Sequence, residues 1–226
     1  MYWNEWAQPL KTLLRIENHP VAVTWSPDGA AGVDAGRKVA ACEAVFKAAG
    51  GETVDITAAS CGCQGGLVNL GLGEQPPDAM ARLSDHLVKK ARVYCSAAAL
   101  QRGQRSVEPP RGAGEPVVMA PLGEASLQPD IVLFVCDAIQ AEQIVSLCSY
   151  WDGGPLLVDL AGPMCRNALS FTLAHNRVGV SLLDDGARRR APFHRSQMVV
   201  GVPLAQMHLA MAAMEQGAGR MTAAAA

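Results

Sequence analysis

Short apolar runs that alternate with amphipathic stretches constrain the fold of this chain more than any other feature. In 6–16, Leu10, Leu13 and Leu14 recur at helical spacing, and 21–25 has the composition of a strand. The alternation predicts further strands at 53–57, 116–120, 131–135, 155–160, 178–182 and 197–202, and helices at 37–49, 67–73, 77–90, 138–151, 165–173 and 203–216. This order predicts an α/β or α+β fold, with a mixed sheet flanked by helices.

Length and breaker residues predict a single compact domain. A chain of 226 residues is long enough to bury a sizeable core. Residues 101–115 are rich in Gly, Pro and Arg, which predicts a loop that is too short to mark a domain boundary. We therefore expect one α/β domain over 1–216 and a frayed tail over 217–226.

Charge and cysteine content exclude several classes of protein. A formal net charge of -2 gives no electrostatic reason to expect a nucleic acid or an anionic membrane as a partner. The sequence has neither a run of about twenty apolar residues nor a basic, apolar signal segment at its start. Seven cysteines, an odd number, argue against a disulfide framework in such a chain. We expect a cytoplasmic protein with reduced thiols, and a homo-oligomer stays an open alternative.

A cysteine pair beside a glycine pair is the strongest indication of a bound group. Segment 60–66 reads Ser-Cys-Gly-Cys-Gln-Gly-Gly and contains Cys61, Cys63, Gly65 and Gly66. Thiolates are soft metal ligands and nucleophiles, and glycines let backbone amides approach a ligand closely. The helix predicted after Gly66 would place Cys63 near a helix N-terminus, which lowers a thiol pKa. The residues alone leave a second reading open, in which both cysteines are small buried residues in a turn, because Cys-x-Cys is not zinc-ribbon spacing.

Other polar residues give weaker signals. The arginines at 188–190, with His194 and Arg195, form a basic patch beside Asp184 that could hold an anionic substrate or could be a solvated loop. Cys95, Cys136 and Cys148 lie in apolar stretches and are interpreted as packing residues. The sequence has no glycine-rich phosphate loop, dinucleotide fingerprint or nucleophile elbow, which weighs against a nucleotide-dependent enzyme or a serine hydrolase.

A series of short motifs, read in order, resembles one family across nearly the whole chain. The motifs are Pro-Val-Ala-Val at 20–23, Ala-Cys-Glu-Ala-Val at 41–45, segment 60–73 with Leu-Gly-Leu at 70–72, Ala-Pro-Leu at 120–122, Pro-Asp-Ile-Val-Leu at 129–133, Met-Cys at 164–165 and Met-Val-Val-Gly-Val-Pro at 198–203. Together they are similar to the family catalogued as domain of unknown function 169. The resemblance implies four cysteine positions. Three fall on Cys42, Cys63 and Cys165, whereas the fourth falls on Asp184.

These positions imply a thiolate-bound group. Four thiolates would suit an iron–sulfur cluster, with 4Fe-4S as one candidate, or zinc or another thiolate-bound metal. Because Asp184 replaces a cysteine, either Cys61 or Asp184 completes the ligand set. An oxygen ligand would leave one iron more open to substrate than four cysteines would.

We therefore carry three hypotheses of function. The first is a cytoplasmic metal- or iron–sulfur-binding protein that performs redox or Lewis-acid chemistry on a small molecule, with an electron-transfer partner and oxygen-sensitive, anaerobic behaviour. As an enzyme it would be an iron–sulfur or metal-dependent oxidoreductase, with Gly65, Gly66 and Arg188 near the bound cofactor. Arg188 or Arg189 would stabilise the negative charge of the substrate. The second is a non-catalytic module that binds a small ligand and packs its cysteines. The third is a thiol enzyme with Cys63 as the nucleophile.

Overall fold

Six strands form one sheet in the computed structural model, which describes residues 2–26, 28, 37–74, 76–105, 114–154, 156, 158, 160 and 162–219. The strands are β1 (Val21–Trp25), β2 (Val54–Ile56), β3 (Val117–Pro121), β4 (Ile131–Cys136), β5 (Gly179–Ser181) and β6 (Met198–Pro203). Their order is β2-β3-β1-β4-β6-β5, and each neighbouring pair is antiparallel. The predicted class, a single α/β domain with helices around a sheet, is confirmed. The sheet itself differs from the predicted mixed one, because every pairing between the described strands is antiparallel.

Helices cover both faces of the sheet. They are α1 (Ala7–Leu14), α2 (Ala41–Ala49), α3 (Gln64–Asn69), α4 (Ala79–Ser84), α5 (Ala97–Arg105), α6 (Ala138–Ser149), α7 (Phe171–His175), α8 (Asp185–Arg190) and α9 (Leu204–Glu215), with π-helical turns at Asp85–Lys90 and Cys165–Ser170 and 3₁₀ turns at Trp3–Trp6 and Leu122–Glu124. One core contains residues of α2, the 164–175 segment and α8, and the other contains residues of α1, α6 and α9.

Successive side chains along each strand point to opposite faces of the sheet and so belong to different cores. Ile131 and Leu133 of β4 point to the α2 side, whereas Val132 and Phe134 point to the α6 and α9 side. All six residues of β4 are buried, as are all five of β3. Burying an aliphatic or Phe side chain contributes about 1.5–3 kcal/mol, so these central strands anchor the domain.

Three predicted segments differ from the structure or extend beyond its described residues. The loop predicted at 101–115 was wrong at its start, because α5 continues to Arg105 and the hydroxyl of Ser96 accepts a hydrogen bond from the Ala99 amide in its first turn (3.2 Å). Residues 106–113 lie outside the described part of the chain, as do residues 220–226 of the predicted tail. The strand predicted at 155–160 also lies partly outside it.

A glycine pair in the sheet makes room for the segment that carries Cys165. Gly179 of β5 and Gly201 of β6 are direct partners in the antiparallel register. A Cβ at Gly179 would overlap the carbonyl oxygen of Asn167, and one at Gly201 would overlap that of Ala168. We call this pair the glycine notch. Because it has no side chains, the π-helical turn Cys165–Ser170 packs directly on the strands.

Within the described residues, the structure contains no helix that is both long and apolar enough to span a membrane.

Candidate functional site

The Cys61 segment is fixed to the start of α2 by backbone pairing. The turn before it is closed by Thr57 and Ser60, whose hydroxyls each accept the other residue's amide hydrogen (2.9 and 3.1 Å). Val39 then donates to the carbonyl of Ser60 (2.9 Å), and Gly62 donates to the carbonyl of Val39 (2.8 Å). A Cβ at Gly62 would lie 3.1–3.2 Å from the backbone of residues 38–40. Glycine here permits the close approach that brings Cys61 and Cys63 to the N-terminus of α2.

Cys63 lies where two helices begin. As the N-cap residue of α3, its Sγ accepts a hydrogen bond from the Gly66 amide at 3.3 Å. The amide of Ala41, the first residue of α2, also donates to it. The pKa of Cys63 is lowered to about 6, first by the hydrogen bond from the Cys61 thiol, then by these amides and by the positive charge of Arg190, against the opposing effect of burial. The structure agrees with the predicted placement of Cys63 near a helix N-terminus, although α3 begins at Gln64 and not after Gly66 as predicted. Cys63 is the thiol that ionises most readily among the shifted cysteines.

The three neighbouring cysteines stay protonated. Burial raises the pKa of Cys42 to about 11, and the adjacent Cys63 raises it further. The pKa of Cys61 is raised because its thiol hydrogen is shared with Cys63 and because it is partly buried. Burial, followed by the charge of Cys63, raises the pKa of Cys165. The site therefore pairs one thiolate with three neutral thiols, which can donate hydrogen bonds to it or lose their protons to a metal.

Gly65 and Gly66 lie between the cysteines. A Cβ at Gly66 would lie 2.9 Å from the Sγ of Cys63 and 3.2 Å from that of Cys61. On the next residue, a Cβ at Gly65 would lie 3.8 Å from the Sγ of Cys165. The glycine pair thus allows sulfurs from distant parts of the chain to approach the first turn of α3. We call Cys42, Cys61, Cys63 and Cys165 with this pair the four-cysteine site.

Cys165 begins a π-helical turn, a feature that the sequence did not reveal. All six residues of Cys165–Ser170 are buried, and π-helical turns are rare and frequent at functional sites. Asn69 of α3 donates from its Nδ2 to the Sγ of Cys165 (3.4 Å) and to the carbonyl of Gly65 (2.7 Å). The hydroxyl of Ser170 donates to the carbonyl of Asn69 and to that of Cys165. These bonds lock α3 and the π-helical turn together and orient the Cys165 sulfur.

Asp184 lies close to the four-cysteine site but uses both carboxylate oxygens on the backbone. Its Oδ1 accepts from the Ala187 amide (3.1 Å) as the N-cap of α8, and its Oδ2 accepts from the Met164 amide (3.2 Å). The carboxylate therefore joins α8 to the segment that carries Cys165. Its negative charge is near enough to raise the pKa of Cys42 and of Cys165, after the larger effect of burial.

The guanidinium of Arg188, which is predicted from the sequence to lie near a bound cofactor or substrate, is engaged by the protein backbone. It donates to the carbonyls of Leu182, Leu183, His194 and Gln197, at 2.8–3.1 Å. Because its donors are used by four backbone carbonyls, Arg188 stabilises the loops on either side of α8. The arginine whose charge reaches the cysteines is Arg190, which donates to the carbonyl of Gly62 at 3.3 Å.

The remaining cysteines lie elsewhere. Cys136 and Cys148 belong to the core on the α6 side, and Cys95 is exposed. Taking the described residues together, no three His, Cys, Asp or Glu side chains are close enough to hold a single metal ion as they stand. A metal would therefore require the thiols of the four-cysteine site to turn toward it.

Comparison with known proteins gives a family and one distant relative. The sequence model of the family described as uncharacterised ArCR, domain of unknown function 169, matches residues 9–213. The uncharacterized protein MJ0308 of Methanocaldococcus jannaschii is 24% identical over 143 residues, which is 62% of this chain and 60% of that protein. The chain thus aligns with less than two thirds of this curated relative. No solved structure matches the chain.

Proposed function

This chain belongs to the domain of unknown function 169 family, and from the chemistry of the four-cysteine site we propose that it binds an iron–sulfur cluster or another thiolate-bound metal. One observation carries the proposal. Cys42, Cys63 and Cys165 come from separate parts of the sequence, yet Cys63 lies near enough to raise the pKa of the other two, and the sulfurs of Cys61, Cys63 and Cys165 lie beside Gly65 and Gly66. Thiolates gathered in this way are the ligands that iron–sulfur clusters and zinc prefer.

The ionisation pattern supports metal binding by the site. With a pKa of about 6, Cys63 provides a thiolate near neutral pH, which gives an incoming metal its first ligand. The other thiols would release their protons as they coordinate, because a bound metal deprotonates a ligating thiol outright. Metal affinity would therefore rise with pH.

The spacing of the donors favours a cluster over a single ion. Three donors do not meet within the reach of one ion among the described residues, yet the sulfurs of Cys61, Cys63 and Cys165 all lie beside the glycine pair. The ligating sulfurs of a cluster are farther apart than those around one ion, because iron and sulfide atoms lie between them. A cluster would thus require smaller side-chain movements.

Cys61 is the better fourth ligand. Its sulfur lies beside Gly66 together with that of Cys63, whereas both oxygens of Asp184 already accept backbone hydrogen bonds that hold α8 and Met164 in place. Recruiting Asp184 would leave those amides without acceptors, which costs about 1–3 kcal/mol for each buried group.

The bound group would supply electron transfer or Lewis acidity to a small molecule, with an electron-transfer partner in the redox case. The chain supplies the surroundings. Cys42 and Cys165 are buried, and the edge-to-face pair of Phe46 and Phe193 (5.2 Å between ring centres) belongs to the apolar core beside them. This apolar side would limit the access of water. A reducing compartment such as the cytoplasm would keep the thiols available.

The test is metal content. Iron, sulfide, zinc and the visible spectrum are measured on protein purified anaerobically, for the wild type and for Cys63→Ser, Cys165→Ser and the matched control Cys148→Ser, whose cysteine lies in the other core. We expect a metal or cluster in the wild type and in the control, and its loss in both site variants. Equal metal in all four proteins, or none in the wild type after reconstitution, would refute the proposal.

A second function is favoured by Cys63 itself. A partly exposed thiol with a pKa of about 6 at the start of two helices is suited to act as a nucleophile. A metal-free protein in which Cys63 alone is alkylated rapidly near neutral pH would support a thiol enzyme instead.

A further inference from the structure

Three consecutive arginines at the end of α8 have different surroundings. Arg188 is engaged by backbone carbonyls, as described above. Arg189 forms an exposed ion pair with Asp185 at 2.6 Å. Arg190 is exposed, and its Nη1 donates to the carbonyl of Gly62 at 3.3 Å. Only the third of these side chains is directed to the segment between Cys61 and Cys63.

The guanidinium of Arg190 keeps most of its binding capacity. A guanidinium has five N–H donors in a planar fork, and the bond to Gly62 uses one of them. Within the described part of the chain, no carboxylate forms an ion pair with Arg190. Asp185, the acidic residue at the start of the same helix, forms its ion pair with Arg189. A positive charge beside the cysteines is thus available to a ligand.

Arg190 is also close enough to act on the thiols. Its charge favours the thiolate form of Cys63 and of Cys42, although other effects on both pKa values are larger. A group that approaches the sulfur of Cys63 from solvent therefore comes within the field of this guanidinium. Because the side chain is exposed, a ligand can reach the fork without the desolvation of a buried charge.

We propose that Arg190 binds the negatively charged end of the small molecule that reaches the four-cysteine site, so that this molecule is a small carboxylate or oxyanion. The fork geometry matches both kinds of head group through two parallel N–H···O bonds. The inference rests on the proposed function, in that the cysteines or the group they hold act on the same molecule. It assigns Arg190 the role of recognising the ligand.

Direct binding tests the role of Arg190. Oxalate and inorganic phosphate are titrated calorimetrically, at constant ionic strength, into the wild type, Arg190→Gln, Arg190→Lys and the matched control Arg189→Gln. We expect at least one anion to bind, with affinity about tenfold or more weaker in Arg190→Gln, intermediate in Arg190→Lys and unchanged in Arg189→Gln. Preference for oxalate would identify a carboxylate, and preference for phosphate an oxyanion. Equal affinity in all four proteins, or no binding to the wild type, would overturn the inference.

A second readout tests the location of the anion. In chelator-treated protein carrying Cys95→Ser, the bound anion should slow the alkylation of Cys63 by the neutral reagent iodoacetamide, and Arg190→Gln should abolish this protection. Alkylation that is equally fast with and without the anion would refute a site beside Cys63. Metal analysis of the same proteins as purified anaerobically, before chelator treatment, separates the two proposals. Arg190-dependent anion binding without metal would refute the proposed function alone, and metal without anion binding would refute this inference alone.

Discussion

Substituting alanine for Gly201 tests how the four-cysteine site is built into the fold. Gly201 belongs to the glycine notch, over which the π-helical turn Cys165–Ser170 lies. An added methyl group would lie 2.9 Å from the Oγ1 of Thr172 and nearer still to the carbonyl oxygen of Ala168. A backbone carbonyl cannot rotate away as a side chain can, so the whole turn must move, and Cys165 with it.

The structure sets the size of the effect. Since ordinary contact begins near 3.4 Å, relieving even the Thr172 contact requires a shift of about 0.5 Å. Overpacking of a tight core costs about 1–3 kcal/mol of stability. Because the obstacle here is a backbone carbonyl, we expect a cost at the upper end of this range, about 3 kcal/mol. The lower entropy of the unfolded alanine chain offsets about 0.4–1 kcal/mol of that cost. We expect a net loss of about 2 kcal/mol, which lowers Tm by about 4–8 °C in a domain of this size.

Urea denaturation followed by circular dichroism measures the free energy of unfolding by linear extrapolation. The number of thiols that react with a thiol reagent under native conditions is counted in the same samples, because displacement of the π-helical turn should make the buried Cys165 accessible. Gly179→Ala should behave similarly, since its methyl group meets the neighbouring carbonyl of Asn167. The double variant should lose less than the sum of the two, because both push the same turn.

The matched control is Gly123→Ala. This glycine is exposed, and a methyl group there would lie 3.4 Å from the Cβ of Ala7, an ordinary contact. The free energy of unfolding of this variant should stay within about 0.5 kcal/mol of the wild type or rise slightly. If Gly201→Ala is as stable as Gly123→Ala and Cys165 stays protected, the close packing of the π-helical turn on the sheet is refuted.

Three further predictions concern the site. In metal-free protein carrying Cys95→Ser, the alkylation rate of Cys63 should rise with pH and reach half its plateau near pH 6, because the thiolate is the reactive form. A midpoint near the ordinary thiol value of about 8.5 would contradict the hydrogen bonds and charge that lower this pKa. Asp184→Ala should lose about 2 kcal/mol of stability or more, because the amides of Ala187 and Met164 both lose their acceptor, and should keep its metal, whereas Cys61→Ser should lose metal; the reverse metal pattern would make Asp184 the fourth ligand. Asn69→Leu removes the N–H···S bond to Cys165, so a bound cluster should have a lower reduction potential in redox titration, and an unchanged potential would count against this bond.

The sequence predicts the elements well where apolar periodicity decides them. Strands β1 and β4 are nearly continuous apolar runs, and their predicted bounds differ from the observed ones by at most one residue. A helix beside Cys63 was predicted, but at 67–73, whereas α3 spans Gln64–Asn69 and includes both glycines in its first turn. Helix α5 was missed entirely, because the breakers that follow it outweighed its Ala-rich first turn. The strand directions depend on which elements pair, which local patterns do not encode.

The site was only partly predictable, for geometric reasons. Successive helix residues are rotated by about 100°, so Arg188 and Arg190 project about 200° apart, and the start of α8 at Asp185 decides which one faces the cysteines. The sequence identified the basic patch but not this orientation. A π-helical turn shifts the hydrogen-bond register by one residue without a composition signal, so the contact between Asn69 and Cys165 was not predicted. Both features arise from tertiary packing.

The edges of the sheet have a consequence for self-association. The outermost strands, β2 and β5, contain three residues each, and they flank the longer central strands. These edge strands offer few unpaired amides and carbonyls to a strand of another chain. Edge-to-edge pairing of one copy with the next is therefore only weakly stabilised. Copies of this chain that associate should therefore do so through side-chain surfaces. Such surfaces allow closed assemblies of defined size and disfavour fibrils.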